Sequence, residues 1–344
     1  MAGFHSKADR SVSAWLLVLI IMVMAMVLLG GATRLTNSGL SITEWRPISG
    51  ALPPLSNADW LSEFAKYQKI PEFSVENPDM DLAAFKFIYF MEWSHRQLGR
   101  LIGLVCLLPL LYFLIKGRLR SGEVGRFVLI FVLGGIQAGI GWWMVHSGLG
   151  NNRVDVAPYR LAIHLGGAFV ILGVLLWTWL DVRQGWPARA TKTRLRKSGL
   201  VLLVLVFLQI LAGAIVAGTH SGLSYNTWPL MDGGIVPGGY LMLSPLWKNI
   251  FENTAAIQFH HRMLAYLVAL WAVYVFVRAR KSHNRDVRRA SWFVLVAICL
   301  QIMLGIITLL KVVPIHWALA HQAGALFVFV SAVWLVRATR VRAY

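Results

Sequence analysis

The feature that most constrains this chain is a series of eight long apolar stretches, separated by polar or charged segments. They lie at about 15–33, 86–115, 124–145, 160–180, 198–218, 256–277, 290–311 and 317–337. A helix needs about 20 mostly apolar residues to cross the hydrocarbon core of a bilayer. The first stretch is too long for the core of a signal peptide, so we interpret it as an uncleaved span. The sequence therefore predicts an all-α polytopic membrane protein with eight transmembrane helices.

Basic residues are unevenly distributed among the segments between these stretches. The segments 116–126, 181–197 and 278–289 are the most basic. Cytoplasmic loops are enriched in Lys and Arg, which predicts that both termini are cytoplasmic and that the two longest loops, 33–86 and 219–255, lie outside. The excess of 33 Lys and Arg over 15 Asp and Glu is spread over separate loops, whereas a nucleic-acid interface needs one basic face. The expected partner is a lipid bilayer, and no nucleic acid is expected.

Four short motifs of the first half recur in the same order in the second half. The pairs are NSGLS from Asn37 and HSGLS from His220, EWSHR from Glu92 and QFHHR from Gln258, Gln137 with Gly141 and Gln301 with Gly305, and HLGGAF from His164 and HQAGAL from His321. Such ordered self-similarity indicates an internal duplication. It predicts two tandem, pseudo-symmetric four-helix bundles, 1–190 and 191–344, which are parallel because both begin on the cytoplasmic side.

Four of the ten histidines lie just inside the predicted outer ends of the even-numbered stretches. These are His95 and His164 in the first half, and His261 and His321 in the second. Ionisable residues inside the membrane are costly and by default suggest a function. Two histidines that face each other in a four-helix bundle can hold a heme iron through two axial imidazoles. The duplicated pairs therefore predict two heme sites near the outer surface.

Small and basic residues beside these histidines fit the same interpretation. A porphyrin plane that approaches a helix needs little side-chain bulk, and each histidine has a small residue within about two turns. These residues are Gly99, Gly103, Gly167, Ala265 and Gly324. Arg96 and Arg262 each follow a histidine directly, and we expect them to pair with heme propionates.

Two simpler interpretations of the histidines are open. They can hydrogen-bond between helices, with the glycines only allowing close packing. A copper or zinc site would need three or four clustered ligands, whereas each half offers two histidines and no cysteine at that depth. The duplicated arrangement favours heme over both.

The two halves differ three residues before the first histidine of each pair. Glu92 precedes His95, whereas Gln258 precedes His261. A carboxyl group whose pKa is raised by burial exchanges protons near pH 7, and an amide does not. The first half is therefore predicted to carry out chemistry beside its heme, and the second to hold a heme that only passes electrons. An equal alternative is that Glu92 pairs with Arg96, four residues further along the same helix.

Taken together, these motifs resemble those of the heme A synthase family, in particular its proteobacterial and mitochondrial branch. They are GGATRLTNSGLSITEWRPISGALPPL from Gly30, EWSHRQLGRL from Glu92, HL from His164, FHHR from Phe259, and His321. The resemblance covers essentially all eight predicted spans. It implies an enzyme that oxidises a ring methyl group of heme O to a formyl group, which gives heme A for terminal cytochrome oxidases.

The resemblance also implies roles for particular residues. In the N-terminal half it implies that Glu92 is catalytic and that His95 and His164 are ligands of the substrate heme O. In the C-terminal half it implies that His261 and His321 hold a b-type heme (heme b).

Two details of this sequence bear on that assignment. His260 is a rival to His261, but an arginine follows each of the aligned histidines, His95 and His261, which favours His261. Some family members have a cysteine pair in an outer loop. The two cysteines of this chain, Cys106 and Cys299, lie inside apolar stretches, so a mechanism that uses such a pair is not expected here.

Two other functions are open on the sequence alone. A di-heme electron-transfer cytochrome would have similar histidine pairs, but it does not explain the difference between Glu92 and Gln258. A heme transporter or chaperone would usually place its polar site near the middle of the bilayer, whereas the four histidines lie toward one side.

The expected location is the inner membrane of a bacterium, with the heme sites toward the periplasm. The segment before Trp15 is too short for a typical mitochondrial transit peptide. Heme O synthase and an unidentified electron acceptor are the expected protein partners, and formation of a homo-oligomer is left open.

The charge pattern predicts a topology that reporter fusions can test. A reporter that is active only in the cytoplasm should be active when fused after Tyr344 and inactive when fused within 219–255. A reporter that is active only in the periplasm should give the opposite result at both positions. Periplasmic activity after Tyr344 would overturn the predicted orientation.

Overall fold

Eight long helices dominate the computed structural model, which describes residues 7–119, 122–150, 153–184 and 194–340. Their length and composition allow them to cross a membrane, which confirms the predicted fold class. They are α1 (Lys7–Leu35), α4 (Leu82–Ile115), α5 (Val124–His146), α6 (Pro158–Gln184), α7 (Arg194–Gly218), α9 (Thr254–Arg280), α10 (Arg285–Leu310) and α11 (Ile315–Ala338). Three shorter helices lie between them, namely α2 (Asn57–Tyr67), α3 (Pro71–Glu76) and α8 (Lys248–Phe251). The predicted boundary at 190/191 and both chain ends, including His5, lie outside the described residues.

The long helices pack as two groups of four. In the first group α1 contacts α4 and α6, and α5 contacts α4 and α6. In the second group α9 contacts α7 and α10, and α11 contacts α7 and α10. The groups meet where α6 packs against α7 and α11, and where α1 packs against α11. This packing is consistent with the predicted tandem bundles. We call the end that carries 36–81 and 219–253 the long-loop end, and the opposite end the basic end.

The repeated motifs have the same local structure in both halves. Asn37 and His220 occupy the same place after α1 and α7, and both have left-handed backbone conformations, with φ of 48° and 53°. Two threonine–serine pairs beside them make equivalent hydroxyl contacts. These are Thr36 with Ser38 at 2.7 Å, and Thr219 with Ser221 at 2.5 Å. The sequence repeat is therefore also a repeat of structure.

Polar caps fix where α4 and α9 begin. Asp81 Oδ1 accepts a hydrogen bond from the backbone N–H of Ala84 at 2.8 Å. Asn253 Oδ1 accepts bonds from Ala255 and Ala256 at 3.0 and 3.2 Å. The first N–H groups of a helix have no partner within the helix, so these caps stabilise the helix starts.

A buried ion triad joins the two groups at the basic end. Asp181 of α6 has no exposed surface and accepts hydrogen bonds from Arg126 of α5 at 2.7 Å and from Arg337 of α11 at 2.6 Å. A buried carboxylate without partners would cost several kcal/mol. Because Arg337 belongs to the second group, this pairing ties α11 to the first group.

A second, more exposed polar cluster joins the groups at the long-loop end. Arg34 lies 2.7 Å from His220 Nε2 and 3.6 Å from Asp155, and His220 lies 2.8 Å from Asp155. Burial alone would raise the pKa of Asp155, but the hydrogen bond from His220 and the charge of Arg34 outweigh it and lower the pKa. Asp155 is therefore a carboxylate at neutral pH and links the end of α1 to the end of α7.

The first long loop has an apolar core of its own. Tyr67 and Phe85 are fully buried and pack with Trp60 of α2. Leu40 and Ile42 belong to the same cluster. Burial of such aromatic side chains contributes about 1.5–3 kcal/mol each. The cluster holds the backbone of 38–42 against α4, where the candidate site lies.

Candidate functional site

The four predicted histidines lie on the second, fourth, sixth and eighth membrane spans, which are α4, α6, α9 and α11. They form two pairs. His95 and His164 are close enough to interact electrostatically in the first group of helices. His261 and His321 are related in the same way in the second group. The fold thus brings together the two histidines of each predicted pair.

Each histidine ring lies against a glycine on the span that precedes it. A Cβ atom built on that glycine would lie only 2.8–3.1 Å from Cε1 of the ring, closer than side-chain contacts normally allow. The pairs are Gly30 with His95 (2.9 Å), Gly141 with His164 (2.8 Å), Gly213 with His261 (3.1 Å) and Gly305 with His321 (2.8 Å). The absence of a side chain at these four glycines, which lie on α1, α5, α7 and α10, therefore leaves space for the imidazole rings.

Three of the four histidines also contact a glutamine that lies four residues before the glycine. Gln137 Nε2 lies 3.1 Å from His164 Nδ1 and donates to the His164 carbonyl at 2.7 Å. Gln209 Nε2 lies 3.1 Å from His261 Nδ1, and Gln301 Nε2 lies 3.4 Å from His321 Nε2. Both also donate to the carbonyl of their histidine, at 3.1 and 2.9 Å. Contacts of this kind orient an imidazole that binds a metal.

These contacts change the explanation of two glycines that the sequence linked to a porphyrin. A Cβ at Gly167 would overlap the side chain of Gln137, and a Cβ at Gly324 would overlap that of Gln301. The absence of a side chain at both positions thus makes room for a glutamine. Gly103, in contrast, has open space beside it.

Sequence reasoning missed part of this arrangement. It found Gln137 with Gly141 and Gln301 with Gly305 as a repeat, but it gave them no role and overlooked Gln209 with Gly213. Comparing all four odd-numbered spans with one another, and not only the two halves, would have revealed a Gln-x-x-x-Gly motif on three of them.

Glu92 is buried, with 3% of its surface exposed, and is fully paired. Its Oε2 accepts hydrogen bonds from the Ser41 hydroxyl and from the Ile42 backbone N–H, both at 2.8 Å. Its Oε1 accepts bonds from Arg96 Nη2 at 2.5 Å and from Arg96 Nε at 3.1 Å. The ion pair with Arg96, one of the two alternatives from the sequence, is thus present. It is combined with two bonds from the first long loop.

Arg96 and Arg262 have different surroundings although they occupy equivalent positions. Arg96 donates to Glu92 and to the carbonyls of Ile42 and Glu44, at 2.9 and 3.1 Å. Arg262 Nη2 donates to the Tyr225 carbonyl at 2.9 Å, but its Nε and Nη1 are buried without a partner. An unpaired buried guanidinium is costly, so Arg262 has donors available for an anionic ligand, whereas those of Arg96 are largely used.

Gln258, the counterpart of Glu92, makes a weaker set of contacts. Its Nε2 donates to the Tyr225 carbonyl at 3.0 Å, and its Oε1 is buried without a partner. The second half therefore has no carboxylate at this position, and the Arg262 side chain beside it keeps unpaired donors.

His260 faces away from the pair on its own half. Its Nε2 lies 2.9 Å from the hydroxyl of Tyr240 in the second long loop, and the two rings pack edge to face. His261, the next residue, lies against Gly213. The geometry thus favours His261 over His260 as the partner of His321.

A polar cavity lies on the loop side of Arg96. It has a volume of about 350 Å³ and is lined by charged side chains, among them Glu63, Lys66, Arg96 and Arg100. Arg96 separates this cavity from Glu92, because it lines the cavity and also donates to the carboxylate. A polar path from the surface therefore reaches within one side chain of Glu92.

Glu72 is a second buried carboxyl group near the site, which the sequence did not single out. It belongs to α3, is 3% exposed, and its Oε2 has no hydrogen-bond partner. Burial, with the charges of Asp155 and Glu92, raises the pKa of Glu72 to about 8. Glu72 is therefore mostly protonated at pH 7 and adds no negative charge beside Glu92.

Comparisons with known proteins agree with the pattern of motifs. The sequence pattern of a family described as cytochrome oxidase assembly protein, COX15-CtaA, matches residues 13–333. A heme A synthase of Maricaulis maris is 50% identical over 97% of this chain and 98% of the relative. Heme A synthases of Paracoccus denitrificans and Azorhizobium caulinodans are 49% and 47% identical over 94% and 96% of this chain, and over 87% and 95% of those proteins.

The contact between glycine and histidine predicts a sharp difference between two neighbouring glycines. Gly141→Ala should displace the His164 ring and lower the affinity of the first half for added heme about tenfold, as loss of a supporting contact does at metal sites. Gly139→Ala is the matched control, because that glycine has no atom within 4 Å of its added Cβ. Spectrophotometric heme titration measures both. Equal affinities for the two variants would contradict the supporting role of Gly141.

Proposed function

This chain belongs to the cytochrome oxidase assembly protein family, and we infer that it converts heme O into heme A. The observation that carries the inference is its identity of 50% and 49% with two heme A synthases over nearly the whole chain. The enzyme oxidises a ring methyl group of heme O to a formyl group. It does so in a membrane, since eight helices of the described part are long and apolar enough to span one.

The residues of both halves fit heme groups. Each half has two imidazoles in contact with bare backbone, which suits bis-histidine ligation of an iron in a helical bundle. We assign His95 and His164 to the substrate heme O, and His261 and His321 to a resident heme b. The unpaired Nε and Nη1 of Arg262 support its pairing with a propionate of that heme b.

Arg96 has a different role in this proposal from the one its position suggests. Its donors are directed at Glu92 and at the carbonyls of Ile42 and Glu44. Arg96 therefore fixes the Glu92 carboxylate against the first long loop. Contact with a propionate is a secondary role of Arg96. Ser41 and Ile42 fix the other oxygen of the same carboxylate.

When bound, the two heme irons supply the redox chemistry of the reaction. The protein supplies position and proton transfer. Oxidation of a methyl group to a formyl group replaces two hydrogens of the carbon with an oxygen and releases electrons and protons, so a base is needed beside the substrate. Glu92 is three residues from His95 on the same helix, and its fixed negative charge also stabilises positive charge that develops on the substrate. Protons leave Glu92 toward the polar cavity beyond Arg96.

The remaining assignments concern location and partners. The protein lies in the inner membrane of a bacterium, with both termini in the cytoplasm and the heme sites toward the periplasm. The expected protein partners are heme O synthase, which would supply the substrate, and an electron acceptor, which would take up the electrons that the oxidation releases. A homo-oligomer is compatible with this arrangement.

Replacement of the heme b ligands should remove a spectroscopic signal. His261→Ala and His321→Ala should each abolish or convert the low-spin spectrum of the resident heme, because a bis-histidine iron needs both imidazoles. His260→Ala is the matched control and should keep the spectrum, since His260 contacts Tyr240. The measurement is the reduced-minus-oxidised spectrum of the purified protein. An unchanged low-spin spectrum in both ligand variants would show the assignment to be wrong.

The difference between Glu92 and Gln258 provides an internal control for catalysis. Glu92→Gln should lower heme A formation by about 100-fold or more, which is typical for loss of a general base. The variant should retain heme b and accumulate heme O or a partly oxidised heme. Gln258→Glu places its carboxylate in the second half, away from the substrate heme, so it should leave the product unchanged in protein that retains heme b. Chromatography of extracted hemes measures all of these outcomes.

A second variant separates catalysis from structure. Ser41→Ala removes one hydrogen bond to Glu92 but leaves its charge, so it should keep most of the activity. If Glu92→Gln formed nearly the normal amount of heme A, Glu92 would have only a structural role as the partner of Arg96. Loss of heme b together with activity would also assign it a structural role.

The main rival is a di-heme electron-transfer cytochrome, which the similar histidine pairs of the two halves favour. It predicts that no formylated heme forms when the protein is produced together with a source of heme O. Formation of heme A under these conditions, dependent on Glu92, excludes it.

A further inference from the structure

Each of four spans, α1, α5, α7 and α10, has a glycine in contact with a histidine ring. In three of them the residue four positions before this glycine is the same, and in the fourth it differs. The residue four positions before the glycine is glutamine in α5, α7 and α10, but methionine in α1. The four residues are Met26, Gln137, Gln209 and Gln301. Met26 is thus the odd member at a position where the other three contact a histidine.

Met26, like two of the glutamines, lies beside a glycine that follows the histidine on the neighbouring span. The side chains of Gln137 and Gln301 fill the room beside a glycine three residues after their histidine. The Met26 methyl carbon lies 3.5 Å from the Cβ position of Gly99, four residues after His95. Like the glutamines, Met26 is half-buried. It therefore fills the corresponding room next to His95.

The chemistry of the two side chains differs at this position. A glutamine amide has donors and an acceptor, and rotation of its last bond presents either to an imidazole nitrogen. A thioether has no donor and is a weak acceptor. His95 Nδ1 is buried without a hydrogen-bond partner. The same is true of His321 Nδ1, but Gln301 Nε2 lies 3.4 Å from the other nitrogen of that ring. His95 lacks the supporting contact that Gln137 gives to His164 and Gln209 gives to His261.

We propose that Met26 is a positioning residue that makes His95 the weaker, releasable ligand of the substrate heme. The proposal rests on the proposed function, in which the first half exchanges heme O for heme A while the second half keeps its heme b. Hydrogen bonds to the second nitrogen of a ligating imidazole strengthen the ligand, and their loss commonly costs 10–100-fold in metal affinity. The first half thus has one supported and one unsupported histidine, and the second half has a glutamine beside each.

The two halves permit a reciprocal test with an internal reporter in every sample. The protein is produced together with heme O synthase, purified, and mixed with excess apomyoglobin as a heme acceptor. Hemes that remain on the protein are extracted at intervals and separated by chromatography. The farnesylated hemes O and A report the first half, and heme B reports the second.

Met26→Gln supplies the missing amide and should slow the release of farnesylated heme about tenfold or more, with no change for heme B. Met26→Leu keeps the bulk without an amide and should release farnesylated heme at the rate of the unmodified protein. Gln209→Met makes the second half resemble the first, and should accelerate the release of heme B only. The midpoint potential of the first-half heme should also fall in Met26→Gln, because a stronger imidazole ligand favours the ferric state.

Two outcomes overturn the proposal. One is an unchanged release of farnesylated heme in Met26→Gln. The other is an equal effect of Met26→Leu, which would assign the effect to packing. If Met26→Gln fails to fold, Gln209→Met still decides the matter, since an unchanged release of heme B would refute the role of the amide. Failure of the proposed function is distinct from these results, because it appears as absence of heme A from the unmodified protein.

Discussion

A polar group inside a membrane bundle has to find its partner within the protein, because lipid offers none. This constraint organises the polar layer near the long-loop end. Three glutamines, Gln137, Gln209 and Gln301, each contact a ring nitrogen and the backbone carbonyl of one histidine. The Glu92 carboxylate accepts four hydrogen bonds. Groups that stay unpaired in such surroundings are informative. Arg262, His95 and His321 have buried nitrogens without a partner, and all three lie where the proposed hemes would bind.

The duplicated architecture places two different chemistries on one backbone plan. Asn37 and His220 have the same left-handed turn, and glycine supports a histidine in the same way four times. Within the repeated motifs, a few side chains then distinguish the halves. In the first half Glu92 accepts hydrogen bonds from Arg96. In the second half Gln258 stands in its place, and two nitrogens of Arg262 have no partner. Because the scaffold is shared, each difference can be examined against its counterpart in the same molecule.

How much the sequence could predict depends on the range of each interaction. The eight spans follow from the thickness of a bilayer, and the pairing of histidines follows from the repeat, so both were accessible. The bonds from Ser41 and Ile42 to Glu92 join residues about fifty positions apart through the fold of a loop, and no periodicity encodes such a contact. The buried Glu72 was missed for the same reason. The role of Gly141 and Gly305 required knowing which helix faces which ring.

Polar links join the halves at both ends of the molecule, in addition to the hydrogen bond of 2.6 Å from Gln322 Nε2 to the Val27 carbonyl, and the two end links differ in strength. Asp181 at the basic end is fully buried between two arginines, so separating the halves there would leave charges in a low-dielectric interior. The cluster of Arg34, Asp155 and His220 is partly exposed to water, where breaking an ion pair costs about 1 kcal/mol or less. Breaking the polar link therefore costs less at the long-loop end than at the basic end. A bulky amphiphile that enters or leaves sideways between the halves would do so by the opening that requires the least work.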